Sequence, residues 1–241
     1  MTLRVVAAAK SSPGAGNAPN DGVLVTDCIF AVADGSDEGT GSGQRALSEV
    51  VRRLGPAPYP HGHFVRNAFR GAHVALWFDD EGTHTLQSTV TVVVWFGTLV
   101  AIGHVGDSRA YLVRGSTVLQ LTTDHVTGGP HEGSVTRLGF HQRPPDPEII
   151  RLRIGDGDRI VLCTDGLWRH VTPEHLLESV LLAPHEACNA LCAKAPLQDE
   201  QASVVVVEFQ EPAPAASDEH VDDLVRDEPV FANGGLTDHV T

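Results

Sequence analysis

Basic residues are scarce in this sequence. Lys and Arg together number 17 against 31 Asp and Glu, which leaves a formal net charge of −14. Nucleic acids and anionic membranes attract positively charged proteins, so this charge argues against both as partners. The deficit is uneven, because residues 211–241 hold eight acidic residues, one basic residue and no sustained apolar period. This composition predicts a flexible, solvated tail behind a domain formed by residues 1–210.

Cysteine is also scarce. The four cysteines all stand in apolar surroundings, and none has the CxxC or paired Cys/His spacing of a zinc site. Reduced thiols buried in the core are the simplest interpretation. The apolar part of the N-terminal MTLRVVAAAKSSPG is too short for a convincing secretory signal. These features together predict a cytoplasmic protein.

The longest uncharged stretch does not predict a membrane helix. Residues 86–106 carry no charged side chain, and by length alone they could cross a bilayer as a helix. The stretch contains two β-branched runs, TVTVVVW and TLVAI, separated by Phe96-Gly97, and it includes polar residues such as His104. Two buried strands joined by a tight turn explain this pattern better.

Short β-branched segments and two pairs of helical segments make up most of the sequence. Helical spacing of apolar residues occurs in residues 41–54 and 62–78, and again in PEHLLESVLL and HEACNALCAKA. The strand segments follow one another with very short links, which predicts antiparallel pairing. Residues 124–146 are rich in Gly, Pro and His and predict an exposed loop. Because strands and helices do not alternate regularly, the sequence predicts the α+β class.

Three of the apolar strands run directly into an aspartate. CIFAVA ends at Asp34-Gly35, LVAIGHVG ends at Asp107, and RIVLCT ends at Asp165-Gly166. A single Asp-Gly pair is an ordinary turn. Three acids at the ends of buried strands would repel one another if they met, unless a cation neutralised them. Oxygen ligands without Cys or His favour a hard cation such as Mg²⁺ or Mn²⁺.

Four motifs follow one another along the chain: VADG (32–35), GHVGDSRAYLVRGSTVLQLTTDH (103–125), GDRIVLCTDGLW (157–168) and DEQASVVVV (199–207). In order and spacing they resemble the PPM, or type 2C, family of metal-dependent Ser/Thr protein phosphatases. The resemblance extends from about Val5 to Phe209. It implies a four-layer α-β-β-α sandwich, in which two mainly antiparallel sheets are flanked by helix pairs and the metal ions lie at one end of the sheets.

The resemblance implies a role for each acid. Asp34 would bridge two metal ions, and the Gly35 carbonyl would bind one of them. Asp165 would bind the first ion, and Asp107 would hold a third, weaker one. A water shared by two cations would attack the phosphate, so Asp34 and Asp165 would act in catalysis through this water. The implied metal ligands are Asp21, Asp34, Gly35, Asp107, Asp165 and Glu200.

The resemblance also implies cofactors and partners. The cofactors would be two Mn²⁺ or Mg²⁺ ions, with a third at Asp107. The substrate would be a phosphoserine or phosphothreonine protein, such as the target of a Ser/Thr kinase. We expect a monomer.

The sequence departs from the family's pattern at several positions. Gly16 stands where an Arg would grip the substrate phosphate, and Asn20 stands where a Glu ligand is common. Glu200 replaces a metal-binding Asp, since Asp199 would need a register shift that turns its side chain to the other face. The loop after His125 is short, which implies a truncated flap over the site.

Asp37 and Glu38 follow the first metal motif, where the family usually has Gly and His. Solvated loop acids are the simpler interpretation of this pair, although one of them could replace the lost Glu ligand.

Two functions remain open at this point. The first is an active Mn²⁺/Mg²⁺-dependent phosphoprotein phosphatase of weakened activity, which the three strand-end aspartates favour. The second is a catalytically impaired member of the family that acts as a regulatory binding module, which the departures at positions 16, 20 and 200 and the short flap favour.

Overall fold

The structure, a computed structural model, describes residues 3–12, 19–36, 41–55, 61–78, 86–127, 134–196 and 201–212. The expectations for Gly16, Asp37, Glu38, Asp199, Glu200 and the tail from residue 213 onward lie outside these residues. In chain order the elements are β1 Arg4–Ser12, β2 Gly22–Val25, β3 Ile29–Ala33, α1 Ser42–Leu54, α2 Gly62–Trp77, β4 Val90–Phe96, β5 Leu99–Val105, β6 Arg109–Arg114, β7 Thr117–Gln120, β8 Val126–Thr127, β9 Ser134–Val135, β10 Glu148–Arg153, β11 Arg159–Cys163, α3 Asp165–Trp168, α4 Pro173–Ser179, α5 Pro184–Cys192 and β12 Ala202–Gln210.

Ten of these strands form two five-stranded antiparallel sheets. Sheet 1 has the order β1-β12-β11-β6-β7, and sheet 2 has the order β10-β5-β4-β3-β2. β1 and β12 pair over their whole lengths, with Arg4 opposite Gln210 and Ser12 opposite Ala202. Three other pairs, β2-β3, β4-β5 and β6-β7, are hairpins of consecutive strands, as the short links between these segments predict.

The side chains of each central strand alternate between two apolar layers. In β12, Val205 and Val207 pack between the two sheets, whereas Val204 and Val206 pack against α4 and α5. Sheet 2 is covered on its outer side by α1 and α2, which contribute residues such as Leu47 to a third layer. Strands buried on both faces need continuous apolar runs, and VVVV and IFAVA are such runs. The predicted α+β sandwich of two antiparallel sheets flanked by helices is confirmed.

Two expectations about single segments have different outcomes. The uncharged residues 86–106 form β4 and β5 joined by a turn at Gly97, as predicted. No helix in the described ranges is long and apolar enough to cross a membrane. Residues 124–146 are not simply an exposed loop, because β8 and β9 pair there and Leu138 is completely buried. Leu138 is held in place by backbone pairing with Ser88, a long-range contact that composition does not reveal.

Candidate metal centre

The three strand-end aspartates meet at one end of the two sheets. Asp34 follows β3 and Asp107 follows β5, both in sheet 2, and Asp165 follows β11 in sheet 1. One carboxylate oxygen from each of the three lies within 4.8 Å of the other two. Asp107 is buried, and Asp34 and Asp165 are nearly so. The fold therefore concentrates negative charge in a site with little access to water.

Hydrogen bonds of the Asp34 backbone fix the position of this residue. Its N–H donates to Thr89 Oγ1 at 3.0 Å, and its carbonyl accepts from Thr89 N at 2.9 Å and from Ser88 Oγ at 3.0 Å. Thr89 Oγ1 also lies 2.7 Å from Ser108 Oγ, the residue after Asp107. This network ties the ends of β3 and β5 to the segment before β4, so the two carboxylates have a fixed separation.

The backbone on either side of Asp107 is clamped by two donors. Gly106 has a φ of +116°, which glycine adopts without strain, and its carbonyl accepts from His125 N at 2.7 Å. The Asp107 carbonyl accepts from Trp168 Nε1 at 2.8 Å. The guanidinium of Arg109 lies 3.5 Å from the centroid of the Trp168 ring and so holds the indole in place. Asp107 Oδ1 is buried and has no hydrogen-bond partner among the described residues.

Asp165 is the first residue of α3. Its Oδ2 lies 2.8 Å from Nη2 of Arg169, one helical turn later. This carboxylate is therefore shared between the acidic cluster on one side and a half-exposed guanidinium on the other.

Asp21 lies beside the three converging carboxylates. Its Oδ2 accepts from Ser203 Oγ at 2.6 Å and from Thr164 Oγ1 at 3.1 Å. The N–H groups of Asn20 and Asp21 both donate to Gln201 Oε1, at 2.9 and 3.1 Å. The start of β12 thus positions Asp21 through Gln201 and Ser203.

Gly35 lies where two backbone segments approach each other closely. A Cβ added at Gly35 would lie 2.5 Å from the Asn20 carbonyl oxygen and 2.4 Å from Ser42 Oγ. The Asn20 carbonyl also accepts from Gly43 N at 3.0 Å, which brings the first turn of α1 against the site. Gly35 is therefore required by the packing around it.

Burial and mutual repulsion raise the pKa values of these acids. Burial, followed by the charges of Asp165 and Asp21, raises the pKa of Asp34 to about 9. Burial is also the main cause that raises the pKa of Asp21 to about 7 and that of Asp107 to about 6. A divalent cation would reverse this penalty, and the donor set consists of carboxylate oxygens with one unsatisfied buried oxygen at Asp107. The residues present fit a hard cation.

The remaining predicted ligand lies outside the described residues. Within β12, Ala202 packs in the layer under α5 and Ser203 faces Asp21. Gln201 Oε1 accepts from the N–H groups of Asn20 and Asp21, and residues 197–200 are not described. The choice between Glu200 and Asp199 stays a prediction.

Several residues that shape the site were missed in the sequence. Thr89, Ser108 and Gln201 act through hydrogen bonds to backbone or to one another, which no motif announces. Arg137 Nη2 lies 3.9 Å from Asp34 Oδ2, although it belongs to the segment expected to be an exposed loop. Trp168, which no part of the sequence pattern singled out, donates its indole N–H to the Asp107 carbonyl.

A second group of potential ligands is already occupied by protein contacts. Ligand atoms of His104, His125 and Glu148 lie within 4.8 Å of one another. His104 Nδ1 lies 2.8 Å from Thr91 Oγ1, and its Nε2 lies 3.2 Å from the Thr123 carbonyl. Glu148 accepts from the N–H of Thr123 at 2.9 Å. These contacts fasten residue 123 to sheet 2 and give the group a structural role.

Comparisons with known proteins identify the family of this chain. Residues 25–199 match the family model described as protein phosphatase 2C. The chain is 30% identical over 207 residues to the serine/threonine protein phosphatase PstP of Mycobacterium tuberculosis, an alignment that covers 75% of this chain and 40% of that protein. The chain therefore spans less than half the length of this relative.

Solved structures extend the agreement to the fold. A structure of the catalytic domain of PstP in complex with two manganese ions matches with a TM-score of 0.73 and 26% identity, over 87% of this chain and all of that one. PppA of Pseudomonas aeruginosa matches with the same TM-score at 20% identity and 86% coverage of this chain, which supports the fold alone. The resemblance inferred from the four motifs is confirmed, and the chain belongs to the protein phosphatase 2C family of serine/threonine phosphatases.

Proposed function

We propose that this protein is a metal-dependent phosphoprotein phosphatase that hydrolyses phosphoserine and phosphothreonine. The observation that carries the proposal is the convergence of Asp34, Asp107 and Asp165 within 4.8 Å. Three converging carboxylates repel one another when no cation is bound, and they can act together as ligands when cations are bound. Family membership and the two manganese ions in the PstP catalytic domain support the same assignment.

The cofactors proposed are two Mn²⁺ or Mg²⁺ ions, with a third held more weakly at Asp107. When bound, the cations would lower the pKa of a shared water and offset the negative charge on the transferred phosphoryl group. The residues proposed to hold them are Asp21, Asp34, the carbonyl of Gly35, Asp107, Asp165 and Glu200.

The chain's own residues provide orientation. Thr89 and Ser88 fix the direction in which Asp34 leaves its strand. Ser203 and Thr164 occupy one oxygen of Asp21, so that its other oxygen is left to face the centre. Trp168 and His125 fix the peptide groups around Asp107. A site held this rigidly loses little entropy when it binds metal and substrate.

The test is hydrolysis of p-nitrophenyl phosphate and of a phosphothreonine peptide with Mn²⁺, Mg²⁺ or excess EDTA. We expect slow turnover that depends on Mn²⁺ and is abolished by Asp165→Asn, a change that keeps the side-chain shape and removes the charge. Arg151→Gln, on the exposed side of β10, is the control and should leave turnover unchanged.

If the test shows no phosphatase activity, the alternative function, a regulatory binding module, is supported instead. A protein that binds Mn²⁺ with the expected stoichiometry but turns over neither substrate at millimolar Mn²⁺ would have the site without the catalysis. Revival of such a protein by Gly16→Arg together with Asn20→Glu would trace the loss to these two positions.

The natural substrate, the location and the oligomeric state of the protein are also proposals. We propose a phosphorylated target of a Ser/Thr kinase as substrate, a cytoplasmic location and a monomeric state. The four cysteines are free thiols, which is usual in a reducing compartment. Both sheets have helices on their outer faces, which leaves sheet edges rather than sheet faces exposed. Sedimentation or light scattering of the purified protein checks the monomeric state.

A further inference from the structure

Arg137 places a guanidinium at the metal centre with one buried N–H that has no partner among the described residues. Its Nη2 lies 3.9 Å from Asp34 Oδ2, which is beyond hydrogen-bond distance. Its Nε is buried and has no hydrogen-bond partner among the described residues. The side chain as a whole keeps 24% of its surface exposed. A buried guanidinium N–H without an acceptor is costly, and the exposed part of the same side chain can be reached by a ligand that enters from solvent.

The direction of Arg137 is fixed by its neighbours. Thr136 N–H donates to the His125 carbonyl at 2.8 Å, and Leu138 N–H donates to the Ser88 carbonyl at 2.9 Å. The Leu138 side chain is completely buried in the layer under α1 and α2. Successive side chains of an extended segment point to opposite sides, so Arg137 points away from that layer and towards the acidic cluster.

The same backbone ladder holds both Arg137 and Asp34. Ser88 pairs with Leu138 on one side and with Gly35 on the other. The segment of Ser88 therefore lies between the segments that carry Arg137 and Asp34. Main-chain pairing sets the distance between these two residues. A loosely attached surface arginine would have no such constraint.

The charge of Arg137 acts on two of the three converging acids. Burial raises the pKa of both Asp34 and Asp107, and the positive charge of Arg137 opposes that rise in each case. The guanidinium thus faces the space that the carboxylates share. With cations bound, the carboxylates would serve as metal ligands, and the guanidinium of Arg137 would need a different anionic partner.

We propose that Arg137 binds the phosphate group of the substrate, a contact that rests on the proposed phosphatase function. Arginine presents a planar fork of N–H donors that matches two phosphate oxygens. A phosphate monoester that enters the site would accept from this guanidinium and would lie against the metal centre. In this chain the need is specific, because position 16 holds a glycine and provides no side-chain donor.

The competing explanation is that Arg137 serves only as a counter-charge for Asp34. The two explanations differ in their effects on two separate ligands. Removal of a counter-charge would strengthen Mn²⁺ binding and leave phosphate binding unchanged. Removal of a phosphate-binding residue would weaken phosphate binding and leave Mn²⁺ binding unchanged or stronger.

The experiment measures both affinities in the full chain by titration calorimetry. Mn²⁺ is titrated into the metal-free protein, and inorganic phosphate is then titrated into the Mn²⁺-loaded protein. The variants are Arg137→Gln, Arg137→Lys and, as a control for loss of a distant charge, Arg151→Gln. Thermal unfolding of each variant checks that it is folded.

We expect Arg137→Gln to weaken phosphate binding on the order of tenfold or more, the loss expected for a charge-assisted contact. Its Mn²⁺ affinity should be equal to or higher than that of the wild type. Arg137→Lys keeps the charge but loses the fork, so its phosphate affinity should be intermediate. Arg151→Gln should change neither affinity.

Three results would overturn the proposal. Equal weakening of Mn²⁺ and phosphate binding would mean that Arg137 only maintains the architecture. Unchanged phosphate affinity would leave Arg137 as a counter-charge, and failure of the Mn²⁺-loaded wild type to bind phosphate would remove the ligand altogether. If the wild type binds phosphate through Arg137 but hydrolyses no substrate, the proposed function fails and the phosphate contact stands.

Discussion

At the scale of single residues, the acids of the metal centre have raised pKa values in the metal-free protein, because their negative charges are buried close together. A bound cation would relieve this penalty. Asp34 shows the strongest effect, since burial and the charges of three neighbouring carboxylates, Asp165, Asp21 and Asp107, all raise its pKa. In the metal-free protein this group of carboxylates keeps protons well above the usual range for aspartate. Metal binding requires the deprotonated form, so protons and Mn²⁺ compete for the same oxygens.

The affinity for Mn²⁺ should therefore rise steeply with pH between about 6 and 9. The sign follows from the raised pKa values, because each proton that must leave on binding costs less free energy as the pH rises. At pH 7 binding should release about one proton or more per protein. Calorimetry in buffers with different ionisation enthalpies measures this number, and an affinity that does not change across this range would contradict the assignment.

Asn20 provides a second prediction at this scale. Its N–H donates to Gln201 Oε1 and its carbonyl accepts from Gly43 N, so the backbone at position 20 is fixed. A replacement side chain would therefore start from the same position. Asn20→Glu should add a negative ligand, lower the Mn²⁺ concentration needed for half-maximal turnover and raise the slow activity. Asn20→Gln, of equal size without the charge, is the matched control. If both variants respond alike, charge at position 20 has no role.

The choice between the two acids before β12 can be tested directly. We expect Glu200→Gln to weaken Mn²⁺ binding on the order of tenfold or more, the loss expected for a charged contact, and Asp199→Asn to leave it near the wild-type value. Titration calorimetry with Mn²⁺ distinguishes the two variants. The reverse result would place Asp199, and not Glu200, in the site.

At the scale of elements, the centre depends on how closely α1 approaches the strands. A Cβ added at Gly43, in the first turn of α1, would lie 2.4 Å from the Asn20 carbonyl oxygen and 2.8 Å from Gly22 N. Both atoms belong to the backbone and cannot move aside independently. The helix can reach this position only because residue 43 has no side chain.

Gly43→Ala should lower the free energy of unfolding by on the order of 1–3 kcal/mol through overpacking, and should weaken Mn²⁺ binding by displacing residues 20–22. Gly71→Ala in α2 is the matched control. There the new methyl group would meet only the Arg53 side chain, which is flexible, so the higher helix propensity of alanine should compensate. Chemical denaturation measures both changes, and similar losses in the two variants would contradict this account of Gly43.

The elements that sequence could predict are those with a strong local pattern. The apolar runs that end at Asp34, Asp107 and Asp165 indicated both the strands and the acids at their ends. The segment around Arg137 was missed because its structure comes from pairing with Ser88, about 50 residues away. Trp168 was missed because nothing in the sequence around it indicates that its N–H donates to the Asp107 carbonyl. Contacts of this kind arise from tertiary pairing and leave no periodic signal.

At the scale of the whole molecule, the described residues form a closed unit of two sheets and their helices. The last strand ends at Gln210, and Glu211 N–H still donates to Asp156 Oδ1 at 2.7 Å. The chain beyond it is strongly acidic and has few apolar residues. The boundary near residue 210 that the composition predicts stays a prediction.

A chain truncated after Pro212 should therefore unfold at nearly the same temperature as the full chain. Few apolar side chains are removed, and their burial is the main source of stability. Differential scanning calorimetry of both proteins, each with and without Mn²⁺, makes the comparison. A drop of several degrees would show that residues 213–241 pack on the domain.

The pairing of the first strand with the last imposes an order on biosynthesis. Sheet 2 can close once residue 153 has left the ribosome, but β1 cannot find its partner until residues 202–210 have been translated. During that interval the N-terminal strand and the apolar edge of β11 both lack their partner strand, and such unpaired edges can associate with other chains. Arrested chains that end before residue 202 should therefore expose residues 4–12 to protease, and chains long enough to release residue 210 should protect them.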